Sequence, residues 1–138
     1  MMADADLSRP ADSRILKGFT WADIDLPSFE QYRRLFATVR PDHPWITEDN
    51  EGLMRKLGAY RKDRETGEKG FTLAGLLMFG TSEAIKDCAP HFFPDYKEYE
   101  HNADRWSNRI CPDGTWEANL FQFYRRVLPR LQEALPTP

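Results

Sequence analysis

The chain has 138 residues, 41% hydrophobic and 30% charged, which suits one packed domain and excludes wholesale disorder. A formal charge of -3 excludes a general attraction to nucleic acid or anionic lipid, so any such binding needs a local patch. Aromatic residues make up 13%, four of them tryptophan, so large rings must fill much of the core.

Residues 1–18 are polar and turn-rich and are expected to be a flexible N-terminal segment ahead of a single domain over 19–138. In DLPSFEQYRRLFATVR, Phe29, Tyr32, Phe36 and Val39 recur at i, i+3, i+7 and i+10, one face of a helix. Pro27 suits its first turn and Pro41 ends it. A second helix is expected from an N-cap at Thr47 to Leu57, with Gly58 as the stop and Leu53, Met54 and Leu57 as its buried stripe. The charged DRETGEKG that follows reads as the turn of a short hairpin or an exposed loop. Thr72 can cap a third helix, LAGLLMF, closed by Gly80, and Ser82 can begin a fourth that reaches Cys88. The aromatics of FFPDYKEYE favour a strand, and RWSNRI can pair with it across HNAD. In TWEANLFQFYRRVLPRLQEAL, Trp116, Leu120, Phe123, Tyr124, Val127, Leu131 and Leu135 fall along one stripe behind an N-cap at Thr115, with a kink expected at Pro129. The sum is a small single α+β domain of four to five helices, a short hairpin and a small antiparallel sheet.

Two cysteines, Cys88 and Cys111, without C-x-x-C spacing or histidine pairs make no disulfide scaffold. They suit a reducing compartment, and a bridge between them stays open. The opening MMADADLSRPADSR has no apolar h-region, and LAGLLMF is too short to span a bilayer. The protein is therefore expected in the cytoplasm, with no membrane partner.

The stretch GLLMFGTS, residues 75–82, lies one residue from the phosphate-loop pattern G-x-x-x-x-G-K-[ST]. Gly75, Gly80 and Ser82 sit in place, but Thr81 stands where lysine would meet the phosphates. The spacers Leu76, Leu77, Met78 and Phe79 would each lose about 1.5–3 kcal/mol of burial if exposed around a nucleotide. A buried helix capped by Gly80 accounts for the same letters. His43, His91, His101, Cys88 and Asp95 share no metal-ligand spacing, because Pro90 breaks any helix that would align Cys88 with His91. The pairs Glu98/Glu100 and Asp63/Glu65 lie in charged segments with no apolar pocket to raise a pKa. No catalytic residue, cofactor or metal site is expected. The basic residues Arg55, Lys56, Arg61, Lys62, Arg64 and Lys69 surround a helix and hairpin-like turn that would touch phosphates in a winged-helix arrangement. Asp63, Glu65 and Glu68 interrupt them, so a solvated face explains them too.

Taken together, ADSRILKGFTWADIDLPSFEQYRRLF, DHPW, LMRKLGAYRKDRETGEKGFTLAGLLMFG and RWSNRICPDGTWEANLFQFYRRVLPRL resemble the middle region of bacterial AlbA/Schlafen-like transcriptional regulators. Some members of that group are described as RecG-like or ATP-binding proteins. The resemblance runs from about Ala3 to Leu135 and is most specific in GFTLAGLLMFG and DGTWEANLFQFYRRV. It implies a non-catalytic connecting module between an AlbA-like DNA-binding domain and a GHKL-type ATP-binding domain. It carries no functional residue onto this sequence, because both of those domains would lie outside it. The expectation is a fragment or split-gene product. Its partners would be the flanking domains, with DNA reached through the parent protein and self-association through faces left apolar near Trp45 and on the last helix. The alternative is a self-standing nucleic-acid-binding module that uses the basic hairpin at residues 55–69.

Overall fold

The computed structural model describes residues 13–101 and 104–134. Helix α1 (Leu26–Val39) opens with Pro27 in its first turn and buries Ser28 and Phe29. Val39, expected on the same stripe, is 65% exposed, because the core ends before the helix does. Helix α2 (Asn50–Leu57) is capped by Asp49, whose side chain accepts from Gly52 N. Thr47 does not cap it. That residue closes a one-turn 3-10 helix, Pro44–Thr47, forced by the two prolines around Asp42 and His43. Gly58 ends α2 at φ 81°, a left-handed conformation that a side chain would strain.

Strands β1 (Tyr60–Lys62) and β2 (Lys69–Phe71) then pair antiparallel, with Tyr60 opposite Phe71 and Lys62 opposite Lys69. Asp63 closes the loop between them: its N–H donates to Glu68 O, its carbonyl accepts from Gly67 N and its carboxylate from Glu65 N. Part of the stretch read as loose is tied to this hairpin. Ile15 bridges Thr72, and Leu16 N donates to Phe71 O at 2.8 Å. Residues 1–12 lie outside the described residues.

Helix α3 (Leu73–Phe79) starts at Thr72, whose buried hydroxyl donates to Gly58 O and accepts from Gly75 N. A Cβ at position 75 would lie 2.3 Å from Ala59 O, so only glycine lets α3 approach the start of β1 this closely. Gly80 leaves α3 in an extended conformation and pairs with Ile24 in an antiparallel bridge. Helix α4 (Ser82–Cys88) follows at once, capped by Thr81.

The core gathers Phe29, Leu53, Met54, Tyr60, Phe71, Leu76, Phe79 and Phe121, with Trp21 and Tyr32 packed against it. Its rings meet edge to face: Phe29–Phe79 at 5.0 Å, Trp21–Phe71 at 4.9 Å and Tyr60–Phe71 at 4.7 Å between centroids. Each fully buried ring or aliphatic side chain contributes about 1.5–3 kcal/mol.

A second ribbon pairs β3 (Tyr96–Tyr99) with β4 (Trp106–Ile110), with an irregular register beside Glu98 and Tyr99. Helix α5 (Leu120–Ala134) closes the fold and continues through Pro129. Its start corrects the sequence expectation. Thr115 lies in a turn, where its N–H and hydroxyl both donate to Asp113 Oδ1. Gln122 N instead donates to Asn119 Oδ1, at 2.9 Å, so Asn119 is the effective cap. Trp116 precedes the helix. The buried positions of α5 are Phe121, Gln122 and Val127, whereas Tyr124 and Leu131 are 49% and 42% exposed. The chain is thus a small α+β domain. No helix among the described residues is long and apolar enough to cross a membrane.

Candidate functional site

The residues of GLLMFGTS turn their polar groups inward. Gly75 N donates to Thr72 Oγ1, Leu76 N to Thr72 O, Gly80 N to Leu76 O and Thr81 N to Asp23 O. Ser82 N donates to Glu117 Oε2, and Ser82 Oγ accepts from Ala118 N. These amides are committed to protein acceptors, and Leu76 and Phe79 are core residues. The segment is a strut: it carries the contacts that hold α3, the 23–25 segment and the approach to α5 together.

The histidines and cysteines stay apart. His43 Nδ1 accepts from Trp45 N and its ring meets Phe36 and Trp45 edge on, while His91 and His101 are exposed. Among the described residues, no group of three or more His, Cys, Asp or Glu is placed to hold a metal. Cys88 and Cys111 are free thiols, and burial pushes the Cys88 thiol up, keeping it protonated at neutral pH.

Glu98 and its neighbour Asp95 are pushed toward ionisation. Arg130 donates to Glu98 Oε1 at 2.7 Å and the Tyr96 hydroxyl to Oε2 at 2.9 Å; these bonds hold Glu98 below the usual carboxylate range. Arg109 grips Asp95 with two bonds of 2.9 and 3.1 Å, with the same effect on Asp95. Glu98 therefore serves as a tie between β3 and α5. Glu100 and Glu65 are exposed.

The six basic residues occupy adjoining elements. Arg55 and Lys56 are exposed on the last turn of α2, which passes through Gly58 into β1. Lys62 and Lys69 are cross-strand partners on the side of the hairpin that also carries Tyr60 and Phe71. Arg61 is half-buried and, by strand alternation, faces the other side. Arg64 stands exposed in the loop. Lys69 reaches Glu51 at 2.9 Å, a surface ion pair worth about 0–1 kcal/mol. A helix followed directly by a charged hairpin is therefore present, but its cations are divided between two faces.

Sequence reasoning missed a polar seam between α1 and α5. Ser28 Oγ donates to Asp25 Oδ2 and accepts from Asn119 Nδ2 at 3.2 Å and Gln122 Nε2 at 2.9 Å. Asn119 Nδ2 also donates to Gly80 O at 2.9 Å, and Gln122 Nε2 to Gln31 Oε1 at 2.8 Å. Arg125 joins at Gln31, and Arg126 at the Gln122 side chain. A helix reading of residues 116–135 that weighted only apolar letters passed over these amides. The seam fixes how α5 lies on α1, because each buried amide left unpaired would cost about 1–3 kcal/mol.

Fold and surfaces together define a small α+β domain built around a buried glycine-flanked helix. The family model described as "Domain of unknown function (DUF8451)" matches residues 1–95, and the chain belongs to that family. The match takes in α1 to α4 and the first hairpin; the second ribbon and α5 follow it. No curated protein and no solved structure matches the chain.

Proposed function

We propose that this domain is a non-catalytic connecting module of an AlbA/Schlafen-like, DNA-associated transcriptional regulator working in the cytoplasm. It would hold an AlbA-like part and a GHKL-type ATP-binding part in a fixed relation. The observation that carries this reading is the contrast between a rigid core and an aromatic surface beyond it. Tyr99 and Trp106 are cross-strand partners on the second ribbon, 55% and 48% exposed, and Phe93 just before it is also exposed. Large exposed rings beside a well-filled core suit a surface made to meet a neighbouring domain. Light scattering of the isolated chain over a wide concentration range tests this. The apparent mass should rise with concentration, and Tyr99→Ser with Trp106→Ser should return it to that of a monomer. A monomer at every concentration would count against the reading.

A second reading is favoured by the direct passage from α2 into the hairpin: a nucleic-acid contact through Arg55, Lys56, Arg61, Lys62, Arg64 and Lys69. Binding to duplex DNA should then weaken as salt rises, and Arg61→Ala with Lys62→Ala should flatten that dependence by about 1–2 in log–log slope. Absence of binding at low salt would eliminate this reading.

A further inference from the structure

A cleft of about 500 Å³ opens between β4, the 111–116 segment and α5. Its size falls within the range of small-molecule sites, roughly 300–1,000 Å³. Arg125, Arg126, Trp116 and Asp113 line it, with Ile110 and Pro129 as apolar wall. The Arg126 guanidinium lies 4.6 Å from the centroid of the Trp116 ring. Its Nη1 donates to Gln122 Oε1 at 2.7 Å and to Gln122 O at 3.2 Å. Arg125 Nη1 donates to Gln31 Oε1. A guanidinium has five N–H donors, and in both residues only Nη1 is bound to a protein acceptor among the described residues. Among the described residues, the Nε–Nη2 edge of each meets no protein acceptor.

Neither arginine forms a salt bridge among the described residues, although Arg109, Arg130 and Lys69 all do. Burial first, and then the charge of Arg125, push the Arg126 pKa down, while the nearby Asp113 carboxylate pushes it up without restoring it. Stacking on Trp116 and the bonds to Gln122 fix one guanidinium plane in advance, and such preorganisation favours bidentate capture of an oxyanion.

Asp113 decides which oxyanion fits. Its Oδ1 already accepts from Thr115 N and Oγ1 at 2.9 and 2.5 Å, and these bonds keep it ionised. A polyanion laid across the cleft, whether acidic peptide or nucleic-acid backbone, would meet this negative charge. A ligand with its charge concentrated at one end and donors elsewhere would meet an acceptor.

We propose that the cleft binds a small phosphate ester of nucleoside-monophosphate size. Its phosphate sits on the free edges of Arg125 and Arg126, its body lies along Ile110, Pro129 and Trp116, and its hydroxyl or amino donors face Asp113. This site is independent of the connecting-module reading and would give the domain a ligand of its own.

Calorimetric titration of the whole chain with a nucleoside 5′-monophosphate, inorganic phosphate, an acidic peptide and a single-stranded oligonucleotide tests it. The mononucleotide should bind about tenfold or more tighter than inorganic phosphate, and Arg125→Ala should weaken it by about tenfold or more. Arg126→Lys, which keeps the charge but loses the fork, should weaken it by a comparable factor. Asp113→Asn should improve inorganic phosphate binding and narrow the gap between the two ligands. Thermal unfolding of each variant reports whether it folds. Should Arg126→Lys fail to fold, the exposed Arg125 and Asp113 variants decide. A mononucleotide that binds no tighter than inorganic phosphate, binding unchanged in Arg125→Ala, or binding of the peptide or oligonucleotide alone would overturn the proposal.

Discussion

The two antiparallel ribbons share a topology and differ in what holds them. β1–β2 turns Tyr60 and Phe71 into the core, where Trp21 and each other's rings cover them. β3–β4 leaves Tyr99 and Trp106 half exposed and is secured by charge: Arg109 to Asp95 across its base, and Arg130 of α5 to Glu98. The first ribbon is a wall of the core. The second is fastened on from outside, so its rings remain free for another surface. Burial tolerates little change, whereas exposed ion pairs contribute little stability and respond to solvent.

The sharpest way to break this comparison is to remove one ring from each ribbon. Phe71→Ala should cost about 3–5 kcal/mol in urea unfolding, whereas Trp106→Ala should cost about 0.5 kcal/mol or less. Equal losses would mean that the second ribbon is as much core as the first. A smaller effect is expected at the seam that anchors α5. Asn119→Ala removes the cap of Gln122 N and the donor to Gly80 O, for an expected loss of about 1–3 kcal/mol by the same measurement.

The smallest effect separates the ribbons by pH. Glu98 is held below its ordinary value of 4.5 by Arg130, so the stability it contributes is full above that value and lost as pH falls through the lower folded value. The Tyr96–Tyr99 amides should lose hydrogen-exchange protection, measured against the unfolded chain at the same pH, on acidification below about pH 4.5 before the Tyr60–Lys62 amides do. Glu98→Gln should remove this difference. Parallel loss of protection in both ribbons would mean that the tie is idle.

The same division explains how much was legible in the sequence. Where apolar periodicity and turn chemistry agree, the reading holds: Gly58 stops α2, Thr72 caps α3, and DRETGEKG turns the first hairpin. The pairing of the second ribbon was legible from its aromatics rather than from its period, and residues 102 and 103 between its strands lie outside the described residues. It fails where a polar residue competes for the same backbone group. Trp116 falls on the helical period of Leu120 and Phe123, but Asp113 captures Thr115 and Asn119 captures Gln122 N, so α5 begins later. Asp49 displaced Thr47 in the same way, because the two prolines had already spent Thr47 on a 3-10 turn. Of the candidate sites, the inward role of Gly75 and Gly80 was readable from the greasy spacers between them. The cleft was not, since Arg125, Arg126 and Trp116 are drawn together only by the placement of α5.

The seam between Ser28 and Gln122 also sets an order of events. Its two halves lie 94 positions apart, so a ribosome must carry the chain past the second ribbon and into α5 before the second half exists. Until then Tyr32 and Phe79 lack the cover of Phe121, and the nascent domain waits with one greasy side bare. Arrival of α5 is therefore the moment at which the core of the newborn domain is closed off from water.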